Sequence, residues 1–249
     1  MRYSQKKFRP FLKRYNLKNY TNKKEPVIFY GLYRKDVELM EKHKSLLVLV
    51  WRGSDILQPG HLEAAKNTKT NIRHVSISSF ICKDLDRAGV KYTYLPIVGS
   101  PVKDIRPAPL GKEIYVYLPK TRHDFFNADI VEEIKNRCDY KVNIATHINH
   151  YSREELLKVY SRCFCGIRLC NHDGLPNQVI EMGLMGRKCI HNGNLPGSIS
   201  WDRNNIDGII ESINNEASKI GSINKELYKS TKKFIDVGNK WLNVEYWSK

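Results

Sequence analysis

Asp173 and Glu181 stand eight residues apart in the run Asp173-Gly174-Leu175-Pro176-Asn177-Gln178-Val179-Ile180-Glu181. The spacing puts the first acid in a loop after a strand and the second inside the helix that follows. Between them, Gly174 lets the backbone come close to a ligand. Pro176 suits a helix start, where its missing N–H costs little. The unpaired N–H groups of that first turn can hold an anion or sugar oxygens. Carboxylates accept from hydroxyls and amides donate to phosphate, so the run suits a polyhydroxylated, phosphorylated ligand. Either acid alone reads as an ordinary turn or surface-helix residue. The combination with Gly174, Pro176 and the downstream Gly186 is what marks a site.

Other candidates are single residues with two readings each. Lys120 and Arg122, in Leu118-Pro119-Lys120-Thr121-Arg122-His123, can stabilise charge on a departing diphosphate or stand as solvated loop cations. His172 can line a sugar pocket or bond a loop backbone, and His123 and His147 follow strand ends. Gly31 closes an apolar strand, and Arg52 and Asp55 follow another, where Asp55 can orient a ligand hydroxyl or cap the next segment. Cys163, Cys165 and Cys170 have neighbours in Cys82, Cys138 and Cys189, yet no CxxC pair occurs, so no metal site is expected. Neither a GxGxxG fingerprint nor a Walker loop is present.

The elements that must position these residues alternate from residue 26 onward. Val27–Tyr30, Leu46–Trp51, His74–Ile77 and Tyr92–Pro96 read as strands, with helices over 34–44 and 79–88. Residues 99–111 hold three prolines and two glycines and read as a linker. The pattern then restarts. Strands are expected at 114–118, 141–145, 163–169 and 188–191, with helices over 129–137, 152–160, 177–185, 206–213 and 224–237. Ser152-Arg153-Glu154-Glu155 is a capping box. Two such blocks predict an α/β chain of two units with parallel sheets, each binding ligands at the carboxyl ends of its strands.

From Tyr160 through Ile190 the chain resembles the donor-binding region of GT-B glycosyltransferases, especially the group 1 (family 4) transferases. Those carry a strand, an acid-Gly-x-Pro loop, a Glu-bearing helix and a following strand. Asp173 replaces the first glutamate of their Glu-x7-Glu pattern, making a D-x7-E variant with a shorter reach. Ser78 to Gly89, followed by Tyr94-Leu95-Pro96, resembles the closing part of the family's acceptor domain. The resemblance implies a GT-B-like fold of two Rossmann-like domains, the acceptor domain shortened. The bounds it suggests are a basic arm at 1–25, an acceptor-side domain at 26–105, a nucleotide-sugar-binding domain at 112–215, and C-terminal helices at 216–249 that can cross back. It implies that Glu181 binds the ribose of a UDP- or GDP-sugar. Asp173 and the amides around Gly174, Leu175, Pro176 and Asn177 would then hold the transferred sugar and a phosphate. Lys120 and Arg122 would face the diphosphate, and Gly31, Arg52 and Asp55 would mark the acceptor side. Transfer to a hydroxyl with retention, and without a metal, is implied in the same way.

The 249 residues carry a formal charge of +16. Nine basic residues and no acid lie in residues 1–24, interleaved with Tyr3, Phe8, Phe11, Tyr15 and Tyr20. Such a segment suits a polyanion, or forms a solvated arm with a few anchored rings. The acceptor expected is therefore DNA, as in the modified bases of a viral genome, or a glycan or lipid-linked saccharide at an anionic membrane. The alternative is a basic nucleic-acid-binding protein with a vestigial sugar pocket. No apolar run approaches the roughly 20 residues of a spanning helix and no apolar leader follows Met1, so a cytoplasmic protein is expected. The oligomeric state is left open.

Overall fold

The protein's structure, a computed structural model, describes residues 1, 3–4, 9–146 and 151–248. The chain forms two compact units. Met1–Pro101, His172–Leu175 and Ile235–Lys249 make the first; Val102–Asn171 and Pro176–Phe234 make the second.

In the first unit the strands are β1 (Tyr3–Ser4), β2 (Lys18–Asn19), β3 (Val27–Tyr30), β4 (Leu47–Trp51), β5 (Ile72–Ser76) and β6 (Tyr92–Tyr94). They form one parallel sheet in the order β2-β1-β3-β4-β5-β6. Helices α1 (Arg9–Arg14), α2 (Arg34–Glu41), α3 (His61–Asn67) and α4 (Ser79–Arg87) connect them. Every residue of β3 and β4 is buried, as expected of apolar runs covered on both faces of a parallel sheet.

The expected basic arm is part of this sheet. Residues within 1–24 supply β1, α1 and β2. Phe11 is 1% exposed and stacks on Tyr30 at 4.1 Å, while Tyr20 meets Phe29 edge-on at 5.8 Å. Tyr15 lies edge-on to Trp241 at 5.2 Å. Burying these rings gains more than leaving them for an external partner. Arg9, Lys13, Lys18, Lys23 and Lys24 remain exposed. Arg2, Lys6, Lys7 and Phe8 lie outside the described residues.

His74 of β5 sits beside Trp51 of β4. The Trp51 Nε1–H donates to His74 Nδ1 at 3.2 Å, which requires a neutral imidazole. Burial lowers the His74 pKa to about 4. The unfolded ring titrates near 6.5, so below that pH the unfolded chain binds the extra proton. Stability of the first unit therefore falls as pH drops from about 6.5 to about 4. The loss expected for this half-buried ring is on the order of 2 kcal/mol. Urea unfolding at pH 7.5 and pH 5 measures it, and His74→Gln should flatten the dependence.

The second unit has the strand order β11-β10-β9-β7-β8, all parallel. Its strands are β7 (Glu113–Tyr117), β8 (Val142–Ala145), β9 (Cys163–Ile167), β10 (Lys188–Ile190) and β11 (Ser198–Ile199). Its helices are α5 (Ala128–Arg137), α6 (Arg153–Arg162), α7 (Asn177–Leu184), α8 (Ile206–Ala217) and α9 (Lys225–Phe234). The chain leaves β7 toward β8 on one side and returns to β9 on the other, so the strand order reverses between β7 and β9. The three cysteines of β9 and β10, Cys163, Cys165 and Cys189, are buried free thiols that act as small apolar residues.

Residues 99–111 contain no helix or strand, but those from Val102 onward belong to the second unit, with Val102, Ile105 and Leu110 buried. The cause is Arg187, which is 1% exposed. Its guanidinium donates to the carbonyls of Tyr160 and Cys163 at 3.1 Å each, of Ala108 and Ser161 at 3.1 Å each, and of Pro109 and Met185. It therefore joins the proline-rich stretch to the ends of α6 and α7 and the start of β9. Gly186, at φ +87°, ends α7 in the left-handed turn that aims Arg187 inward. Burial lowers the Arg187 pKa to about 10, so the group is still charged at neutral pH.

Candidate functional site

The residues singled out by sequence fall into one set in each unit. In the second unit, α7 follows β9 and begins after Pro176, whose extended backbone (φ −70°, ψ 124°) makes it the N-cap. Asn177 is exposed at the first helical position. Glu181 is the helix's fifth residue and is only 1% exposed, against expectation for an ordinary surface-helix acid. Its Oε1 accepts from the Arg153 guanidinium at 2.7 Å. Arg153 is the first residue of α6. The predicted capping box forms there: Ser152 Oγ accepts from the Glu155 N–H at 3.2 Å, and Glu155 accepts from the Ser152 N–H at 2.7 Å. The cap fixes the start of α6, and α6 presents Arg153 to Glu181. Burial first, and the nearby Glu181 charge among the further causes, raises the Tyr160 phenol well above its ordinary pKa. The charge-assisted bond from Arg153 orients the Glu181 carboxylate.

Lys120 and Arg122 lie in the loop after β7 and are exposed. The Arg122 guanidinium rests over the Phe125 ring at 4.0 Å. His123 is exposed as well, and His147 lies outside the described residues. A cation that sequence reading missed stands closer to the sheet. Arg168 directly follows β9, is half-buried, and lies 4.9 Å from the Tyr117 ring centroid and 5.5 Å from that of Phe126. Its signal in the sequence is a lone charge closing the apolar run Cys163–Ile167.

In the first unit, His172–Leu175 joins the strand ends of the sheet, although the expected bounds put this segment with 112–215. Ser78, the N-cap of α4, donates from Oγ to the Asp173 carbonyl at 2.9 Å. The Asp173 carboxylate accepts from the Gly174 N–H at 3.0 Å. Gly174 and Gly53 meet backbone to backbone. A Cβ on Gly174 would land on the Arg52 carbonyl, and one on Gly53 would come within 2.7 Å of the Gly174 nitrogen. Leu175 packs against the core of this unit. His172 donates from Nε2 to Asp84 Oδ2 at 2.6 Å, with its ring beside Phe80, so its partner is a carboxylate rather than a backbone group.

Asp55 is 1% exposed and does not cap the helix that follows, whose N-cap is Gly60. It accepts backbone N–H groups from Leu32 at 3.1 Å, Arg52 at 2.9 Å and Gly53 at 2.8 Å. Burial raises its pKa against the lowering effect of those amides. The residue thus fixes the loops after β3 and β4, which places Arg52. The Arg52 guanidinium lies 4.7 Å from the Tyr30 ring centroid, and its Nη1 donates to the Tyr33 hydroxyl at 3.2 Å. Gly31 has no Cβ to block the Tyr33 ring, which would otherwise stand 2.8 Å away.

No family model matches this chain, and no curated protein matches it in sequence. Solved structures share its fold. TarM aligns with a TM-score of 0.56 at 14% identity, covering 89% of this chain and 55% of TarM. A mutant TarM from S. aureus, in complex with fondaparinux, α-GlcNAc-glycerol and UDP, aligns at 0.55 and 14% identity, covering 89% of this chain and 56% of the other. WaaB, a lipopolysaccharide outer core galactosyltransferase, aligns at 0.55 and 12%, covering 85% of this chain and 71% of WaaB. The chain thus spans about half the length of TarM. Among the described residues, no helix is long and apolar enough to cross a membrane. The fold is α/β and GT-B-like, with two Rossmann-like units built on parallel sheets.

Proposed function

We propose that this chain is a glycosyltransferase that moves a sugar from a nucleoside-diphosphate sugar to a hydroxyl of a glycan-type acceptor. The observation that carries the reading is Glu181, a carboxylate paired with Arg153 and buried on the helix that follows the switch-point strand, where open α/β sheets receive ligands. A buried carboxylate is held by hydrogen-bond donors. Two vicinal ribose hydroxyls supply matching donors. The UDP bound by the TarM mutant, whose fold this chain shares, supports a nucleotide donor.

In this reading Glu181 accepts from the ribose. Lys120, Arg122 and the first turn of α7 favour negative charge on the diphosphate. The acceptor oxygen attacks the anomeric carbon as the carbon–oxygen bond to diphosphate breaks, through a state of oxocarbenium character. The departing phosphate oxygen takes the acceptor proton. Retention of configuration is what the resemblance to the family 4 transferases implies. Phe11 is buried and Tyr15 and Tyr20 pack against the core, which engages three of the rings that argued for base stacking, so a glycan hydroxyl is preferred over DNA.

A melting-temperature screen of UDP-, GDP-, ADP- and CMP-sugars tests this. A ligand present at a hundred times its Kd stabilises by about 2.7 kcal/mol, a shift of several degrees. One sugar nucleotide should give that shift and release its nucleoside diphosphate when acceptor is added. If none shifts the transition or is consumed, while duplex DNA binds tightly, the enzyme reading is lost to the nucleic-acid-binding one.

A further inference from the structure

We propose that Asn192 and Gly193 form a self-modifying site in the loop after β10, where the chain closes a succinimide on itself and releases ammonia. The site lies wholly within the second unit and does not depend on the transferase reading.

Asn192 is the only asparagine followed by glycine in the chain. In such a pair the next backbone nitrogen can reach the side-chain carbonyl carbon and close a five-membered ring, with no Cβ to hinder it. Two things slow that reaction. An amide nitrogen is a poor nucleophile while it holds its proton, and a carboxamide is a poor electrophile. The loop addresses both. The Gly193 N–H donates to His191 Nδ1 at 3.0 Å, so a basic nitrogen already faces the proton that must leave. A backbone N–H only donates, so Nδ1 is the ring nitrogen acting as acceptor. The Ser198 hydroxyl stands 3.5 Å from the same nitrogen. From the other side the Trp201 N–H donates to Asn192 Oδ1 at 2.8 Å, where negative charge develops as the carbonyl is attacked.

These partners are held by the sheet and its core. His191 is 1% exposed, and its N–H donates to the Ile199 carbonyl at 2.9 Å, continuing the β10–β11 pairing. A Cβ on Gly193 would stand 2.8 Å from His191 Nδ1, so glycine is what lets the ring lie this close to the 192–193 peptide. Trp201 packs against the core of the second unit, which fixes the direction of its N–H. Asn192 itself is exposed, so ammonia can leave and water can enter.

In the step, the Gly193 nitrogen bonds to Asn192 Cγ as its proton passes to His191 Nδ1, and the carbonyl electrons move onto Oδ1. The carbonyl then re-forms as the Cγ–Nδ2 bond breaks. Nδ2 takes the proton back from His191 and departs as ammonia. Water opens the succinimide at either carbonyl, leaving aspartate or isoaspartate at position 192. Both add a carboxylate to the loop, and isoaspartate also lengthens the backbone by a methylene.

The test incubates the full-length protein at neutral pH and follows position 192 by peptide mapping and mass spectrometry, reading the succinimide, aspartyl and isoaspartyl products. The comparison is the same chain unfolded in guanidinium chloride at the same pH and temperature, where only the local Asn-Gly sequence acts. General-base help is worth on the order of 100-fold or more, offset in part by the stiffness of the loop, so the native chain should convert about tenfold faster. His191→Gln keeps an acceptor for the Gly193 N–H but cannot take its proton, and should slow conversion of the folded protein about tenfold. Thermal melting confirms that the variant folds. The proposal is overturned if the native chain converts no faster than the unfolded one, or if folded His191→Gln converts within twofold of wild type. Should His191→Gln fail to fold, the native and unfolded wild-type rates decide alone.

Discussion

Arg187→Met lowers the melting temperature of the second unit by about 10 °C or more. Methionine matches the apolar stem but donates nothing to the carbonyls of Ala108, Pro109, Tyr160, Ser161, Cys163 and Met185. Some of these would find water; the carbonyls of Tyr160, Cys163 and Met185 are sealed inside and would keep only the backbone N–H groups of Cys163, Gly111 and Ala108. Hydrogen bonds to a charged group are worth about 1.5–3 kcal/mol each, and the relaxed total expected for their loss is about 3–5 kcal/mol. Arg187→Lys should fall between, since an ammonium has three donors and cannot span the ring of acceptors. Calorimetry of the three proteins measures the series. Equal melting of Met variant and wild type would show that these carbonyls are satisfied without the guanidinium.

Glu181→Ala should reduce affinity for the nucleotide donor about 100-fold while costing little stability. Two hydrogen bonds from ribose to a carboxylate are each worth about 1.5–3 kcal/mol, and tenfold in affinity is 1.4 kcal/mol. Folding is cushioned because the Arg153 side chain is 29% exposed and can swing into water once its partner is gone. Glu181→Gln keeps the shape and should lose about tenfold. The readout is the ligand-induced melting shift together with turnover. A mutant that retains the full shift would place the ribose elsewhere.

Legibility varied with the length and patterning of each segment. Val27–Tyr30 and Leu47–Trp51 were readable because continuous apolar runs in a polar chain have few uses other than buried parallel strands. The α6 start was readable because a capping box specifies two hydrogen bonds at fixed spacing. Strands β1 and β2 were not: two residues carry no periodicity, and their basic context argued for solvent. Helix α3 was missed because Gly60, a left-handed N-cap, reads as part of a turn. At the site, the spacing of Asp173 and Glu181 was visible, but the burial of Glu181 and its pairing with Arg153 were not, since the partner lies 28 residues away. Arg187 and Arg168 escaped notice because a lone arginine is read as surface until its surroundings are known.

The chain passes between its two units at 101/102, 171/172, 175/176 and 234/235. Trp241 and Trp247 complete the hydrophobic core of the first unit, the indole N–H of Trp247 donating to the Trp241 carbonyl at 2.8 Å. During synthesis the earlier-made half must therefore wait, with the faces of Phe11 and Tyr15 that meet Trp241 open, until Trp241 and Trp247 clear the ribosome. Neither unit corresponds to a contiguous stretch of the gene, so the two cannot have been joined, or be separated, by a single cut.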